Sequence, residues 1–115
     1  MKLLELTTET EGTTVRLALT GELDIAGAAR VEQELERIER EPPATIVLDL
    51  RELAFMDSTG LRVIVAADAR AREQSRRLVI VRGSETVQRI IEMTRLHERL
   101  DIVDDLAAVE ATRGA

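Results

Sequence analysis

At 115 residues the chain has the length of one domain, residues 1–115, long enough to bury roughly two thirds of the surface its unfolded form exposes. Sixteen basic residues against 22 acidic ones leave a formal charge of −6, which repels phosphate backbones and excludes a nucleic-acid binder working through bulk electrostatics. A single aromatic residue, Phe55, removes stacking platforms, and the absence of cysteine together with a lone histidine, His97, removes thiolate chemistry, disulfides and Cys- or His-rich metal sites.

The pattern begins with two short β runs, residues 3–7 and 13–19, the second alternating Val15, Leu17 and Leu19 with Arg16, Ala18 and Thr20. Glu11-Gly12 between them reads as a hairpin turn. Gly21 is expected to stop the second strand, and Asp24 to cap a helix over 25–40 whose inward stripe is Ala28, Val31, Leu35 and Ile38. The Glu and Arg residues that fill the rest of this helix make a solvated face, and Pro42-Pro43 end it. Residues 45–50 (TIVLDL) form a continuous apolar and β-branched run, the mark of a central strand covered on both faces.

After an expected loop over 51–57, a helix over 58–74 turns Leu61, Ile64, Val65 and Ala69 inward. A buried strand over 78–81, a turn at Gly83-Ser84 and a helix over 85–94 with Val87, Ile90 and Ile91 inside follow. A last edge strand over 100–103 and a terminal helix capped by Asp104 and running to Glu110 complete the chain, with a frayed tail over 111–115. The sum is an α/β fold: a mixed, mostly parallel sheet with an N-terminal antiparallel hairpin, packed by about four helices. No apolar run approaches the roughly 20 residues of a membrane span, and the alternation of charge and leucine in the first six residues is not a signal peptide, so a cytoplasmic protein is expected.

The glycines Gly21, Gly27, Gly60 and Gly83 stand one to a turn, which excludes a phosphate-cradling loop or a dinucleotide fingerprint. Asp57-Ser58-Thr59-Gly60 lacks the Gly-x-Ser-x-Gly elbow of a hydrolase, and His97 has no second ligand or catalytic partner of its kind, so neither an enzyme nor a cofactor is expected. What remains is the loop 54–61, placed beyond the carboxyl end of the central strand, where open α/β sheets meet ligands and partners. Its plain reading is a helix cap, since Asp57 and Ser58 both offer oxygens to the first turn. Against that reading, two capping oxygens are more than one turn requires, and Gly60 costs a helix about 0.5–1 kcal/mol relative to alanine, which fits close approach by another molecule. Phe55 and Met56 lie on the same loop, where either a contact surface or burial under the sheet edge would accommodate them.

Gly21-Glu22-Leu23-Asp24 after the hairpin, Val47-Leu48-Asp49-Leu50 leading to Phe55-Met56-Asp57-Ser58-Thr59-Gly60-Leu61, and the segments 78–81, 87–94 and 100–104 together resemble the anti-sigma factor antagonists of the STAS domain family. The Asp-Ser-Thr-Gly-Leu element carries the specificity, and the likeness extends over almost the whole chain. It implies a STAS-like fold and a regulatory protein that, when unphosphorylated, binds an anti-sigma factor serine kinase and so releases a sigma factor. It further implies Ser58 as the phosphoacceptor, with Thr59 the adjacent alternative, and a metal-dependent serine phosphatase that restores the hydroxyl. Asp24, Ala26, Gly27, Phe55, Met56, Asp57, Ser58, Thr59 and Gly60 are the expected partner-binding residues. The chain departs from the family at Arg95, where a glycine often follows the threonine ending the third helix. The competing reading is a STAS-like scaffold in a signalling assembly, or a partner of a transporter or lipid system, in which Ser58 is only a cap.

Overall fold

A computed structural model describes residues 3–41 and 43–113. Strand β1 (Glu5–Glu11) pairs antiparallel with β2 (Thr14–Leu23), and helix α1 (Ile25–Arg40) leads to β3 (Thr45–Met56). Helix α2 (Ser58–Glu73), β4 (Arg77–Val81), α3 (Glu85–Met93), a 3-10 turn over Leu96–Glu98, β5 (Ile102–Val103) and α4 (Leu106–Arg113) follow. The five strands lie in chain order, β1-β2-β3-β4-β5, and every pair after the first is parallel. The expected mixed sheet with a central third strand and four helices is therefore the observed one.

Alternation along the strands divides the core between two faces. Val15, Leu17 and Leu19 of β2, Ile46, Leu48 and Leu50 of β3, and Leu78 and Ile80 of β4 pack against α1, α2 and α3 through Val31, Leu35, Ile38, Leu61, Ile64, Val87 and Ile91. On the opposite face Val47, Val79 and Val81 meet Val109 and Leu106 of α4. Burying each of these aliphatic side chains contributes about 1.5–3 kcal/mol before the entropy of ordering is subtracted.

Several boundaries differ from the sequence expectation. The hairpin strands lie further along the chain than 3–7 and 13–19. Gly21 does not end β2, and 51–57 is not a loop: β2 continues to Leu23 and β3 to Met56, and these extensions pair with each other, Gly21 with Leu53 and Leu23 with Met56. Gly21 is required there because its φ is +97° and an added Cβ would lie 2.3 Å from the Leu3 carbonyl oxygen. In α2, Val63, Ala67 and Ala71 turn inward beside Leu61 and Ile64, whereas Val65 is half-buried and Ala69 exposed. Strand β5 is limited to two residues, and Asp105, not Asp104, accepts the amide proton of Ala108 at the start of α4. The terminal helix runs past Glu110 to Arg113, so part of the expected frayed tail is helical, and residues 114–115 lie outside the described residues, as does Pro42.

Helix α2 closes with Ser75 at φ +53°, the Arg76 amide donating to the Ala71 carbonyl at 2.8 Å and the Ser75 amide to Arg72 at 3.2 Å, the 6→1 and 5→2 pair of a Schellman motif. Arg95 stands at φ +62° just beyond α3. Both positions favour glycine, so Arg95 holds its turn in a strained left-handed conformation while α3 still ends at Met93. Ser75→Gly and Arg95→Gly are each expected to raise stability by up to about 1 kcal/mol, measured by urea denaturation at constant m.

On the α4 face of the sheet, Asp49 is buried and accepts from the Arg51 side chain at 2.8 and 2.9 Å, from the Arg51 amide at 3.2 Å and from Arg16 at 2.8 Å. Burial alone would raise its pKa, but the Arg51 and Arg16 hydrogen bonds outweigh it and hold the carboxyl below its ordinary value. Glu34 is held at about 2, chiefly by the Arg37 hydrogen bond against an opposing desolvation, with Thr8 adding a further bond. Because both folded values are depressed, their stabilisation is complete above the unfolded carboxylate range near about pH 4 and is lost as pH falls through the folded values. Acid titration of the melting temperature should therefore be flatter below about pH 4 for Asp49→Asn and Glu34→Gln than for the wild type.

Candidate functional site: the start of the second helix

The strand-to-helix turns after β2, β3 and β4 each deliver a helix N-terminus to the carboxyl end of the sheet, capped by Asp24, Asp57 and Ser84 respectively. The first two are held side by side, because Leu23 pairs with Met56 and the Asp57 amide donates to the Leu23 carbonyl at 3.1 Å. Asp24 Oδ1 accepts from Ala26 and Gly27 at 3.0 and 3.3 Å, and Asp57 Oδ1 accepts from Thr59 and Gly60, both at 3.0 Å. Each turn thus has its capping acceptor already.

This settles the role of Ser58 in the fold. Ser58 is the first residue of α2, not its cap, its side chain is exposed, and its hydroxyl makes no hydrogen bond among the described residues. Thr59, one residue on, is half-buried. A phosphate on Ser58 would stand at the positive end of a 16-residue helix, where a negative group is favoured by about 0.3–1 kcal/mol at an exposed position.

Gly60 does not serve close approach from outside, as the sequence suggests. An added Cβ would lie 2.6 Å from Leu23 Cγ and 3.0 Å from Met56 Cγ, so the glycine lets α2 settle on the end of β2. Gly27 is buried too, its missing side chain leaving room for Leu4, whose Cδ2 would be 2.7 Å from an added Cβ. Met56 has no solvent-accessible surface. Of the expected contact residues, Ala26, Phe55 and Ser58 are exposed, Asp24, Asp57 and Thr59 half-buried, and Gly27, Met56 and Gly60 belong to the interior. One exposed residue escaped the sequence reading: Ile25, the first residue of α1, is 76% exposed. Its spacing of three from Ala28 continues the inward stripe, which hides its exposure. His97 is exposed on the 3-10 turn, and no group of three His, Cys, Asp or Glu side chains suited to a metal ion occurs among the described residues. No described helix is long and apolar enough to cross a membrane.

A five-stranded mixed sheet with a capped, serine-bearing helix start at its carboxyl edge defines a class of small α/β domain. The chain belongs to the STAS domain family, whose model matches residues 5–109. It is 32% identical over 88 residues to the anti-sigma-B factor antagonist of Listeria monocytogenes, covering 76% of this chain and 77% of that protein. The crystal structure of an anti-sigma factor antagonist from Mycobacterium paratuberculosis superposes with a TM-score of 0.84 at 22% identity, covering 96% of this chain and 95% of that one. The antagonist SpoIIAA in its unphosphorylated form gives a TM-score of 0.78 at 22% identity over 98% of both chains. The phosphorylated form of the Bacillus cell fate determinant SpoIIAA gives a TM-score of 0.71 at 19% identity over 95% of this chain and 98% of that one. These structural likenesses establish the fold.

The division of labour at the turn is measurable. Asp57→Ala should cost about 0.5–2 kcal/mol by losing the cap, while Ser58→Ala should stay within about 0.5 kcal/mol of the wild type. Chemical denaturation of the two variants checks both.

Proposed function

We propose that this chain is an anti-sigma factor antagonist. Its unphosphorylated form binds an anti-sigma factor with serine kinase activity and so frees the sigma factor; phosphorylation of Ser58 ends that binding, and a metal-dependent serine phosphatase reverses it. The observation that carries the reading is the exposed hydroxyl of Ser58 at a helix start whose capping is done by Asp57. A serine with no part in the local hydrogen bonding is free to be modified without loss of the fold. The names of the relatives support the same reading, as does the existence of SpoIIAA in both phosphorylation states.

In this reading the partner covers Ser58, Thr59, Ala26 and Phe55, with Asp24 and Asp57 holding the two helix starts in register. The switch needs no rearrangement of the antagonist. A phosphate adds about −1.5 to −2 charge at a place where the helix dipole accepts it, so the free protein tolerates it. Against a docked partner the same group must be stripped of water, and it enlarges a side chain at the centre of the contact. The loss falls on affinity and not on stability.

The test uses the purified anti-sigma factor of the host. Ser58→Asp should keep the wild-type melting temperature yet bind at least about tenfold more weakly, a loss of about 1.4 kcal/mol, whereas Ser58→Ala should bind and accept no phosphate. Calorimetry that finds Ser58→Asp binding as tightly as the wild type would overturn the assignment.

A further inference from the structure

Four large apolar side chains stand out in water among the described residues: Leu3 at 85% exposure, Ile25 and Met93 at 76%, and Phe55 at 39%. Three of them are at the end of the sheet that carries Ser58. Phe55 lies on β3 opposite Glu22, and Ile25 begins α1 two residues beyond Leu23, whose strand partner Met56 is two residues before Ser58. The Leu3 carbonyl lies against Gly21, which pairs with Leu53 near the same end. Met93 ends α3, a helix that starts after β4 at this end and runs away from it.

Nothing inside the domain explains Ile25. A β-branched residue is a mediocre helix former, Asp24 already supplies the cap, and three quarters of the residue lies in water. Scattered exposed apolar residues are ordinary, but three at the sheet end that also carries a free serine mark a contact surface. We propose that Ile25 is the apolar anchor of the face that includes Ser58, with Phe55 as its companion, and that the partner meets them with an apolar cleft set in a basic surface. The apolar part follows from the anchors. The basic part follows from the chain's charge of −6 and from Glu22, Asp24 and Asp57, which flank them. This inference rests on the reading of the chain as an anti-sigma factor antagonist and adds to it the chemistry of the partner. It also gives the phosphate its effect: a dianion on Ser58 has to be dehydrated between apolar groups, so dissociation quickens even though long-range attraction to a basic partner would persist.

Binding of the purified host anti-sigma factor to Ile25→Ser, Phe55→Ser and Met93→Ser, followed by surface plasmon resonance, tests the proposal with Ser58→Asp alongside. The expected result is an unchanged melting temperature and an affinity at least about tenfold weaker for Ile25→Ser, carried by a faster off-rate, with Met93→Ser at the wild-type value. If Ile25→Ser binds like the wild type while Ser58→Asp does not, the anchor is wrong and the switch stands. An equal loss in Met93→Ser overturns the localised anchor. If the wild type fails to bind, both readings fall. Dimerisation of the wild type that Ile25→Ser abolishes would assign the face to a second copy of this chain and overturn the proposed partner.

Discussion

The 3.1 Å hydrogen bond from the Asp57 amide to the Leu23 carbonyl joins the last residue of β2 to the first residue past β3. It is possible only because β2 and β3 stay paired to their ends, Leu23 opposite Met56. Once it is made, α1 and α2 must start side by side, and the Gly60 backbone can rest on Leu23 with no Cβ between them. The two capping aspartates then consume the local amide donors, Asp24 for α1 and Asp57 for α2. What is left over at this edge is a serine hydroxyl, an isoleucine and a phenylalanine, all outside the interior. The proposed site consists of side chains that folding did not use.

The same geometry would let the proposed charge-based switch act apart from stability. Most carboxylates that matter to the fold lie elsewhere, Asp49 between Arg16 and Arg51 on the α4 face, Glu34 with Arg37 and Thr8 between α1 and β1. Both are held ionised by cations, so they stabilise the domain at neutral pH and are indifferent to a new anion on Ser58. A helix start already favours negative charge. In the proposed switch the energetic consequence of modification would therefore fall on the interface, where dehydration is demanded.

Much of this was legible in the residues themselves. The periodicity of Ala28, Val31, Leu35 and Ile38 gave α1 with its observed bounds, and the apolar run from Thr45 gave the central strand. The second half of β3 was not legible, for a definite reason. Between Ala18/Asp49 and Glu22/Phe55 the register shifts twice, each time adding a residue to β3, so the inward side chains Leu50, Leu53 and Met56 recur every three residues and not every two. That spacing, with Arg51 and Glu52 exposed between, imitates a loop. The sequence motif Asp-Ser-Thr-Gly marked the turn that starts α2 but could not divide its duties. Which oxygen caps, and which neighbour a glycine makes room for, depend on β2 arriving beside the turn from some 35 residues earlier in the chain, at Leu23. Ile25 was hidden because it continues an inward stripe past the point where the sheet ends.

The central claim is that Ser58 is left free by the fold and is the group on which regulation acts. Its most direct test is mass-spectrometric localisation of phosphate on the intact chain isolated from its host under conditions in which the sigma factor is held inactive. One phosphate, on Ser58, with Thr59 unmodified, is the predicted result; phosphate on Thr59 alone, or on neither residue, would contradict it.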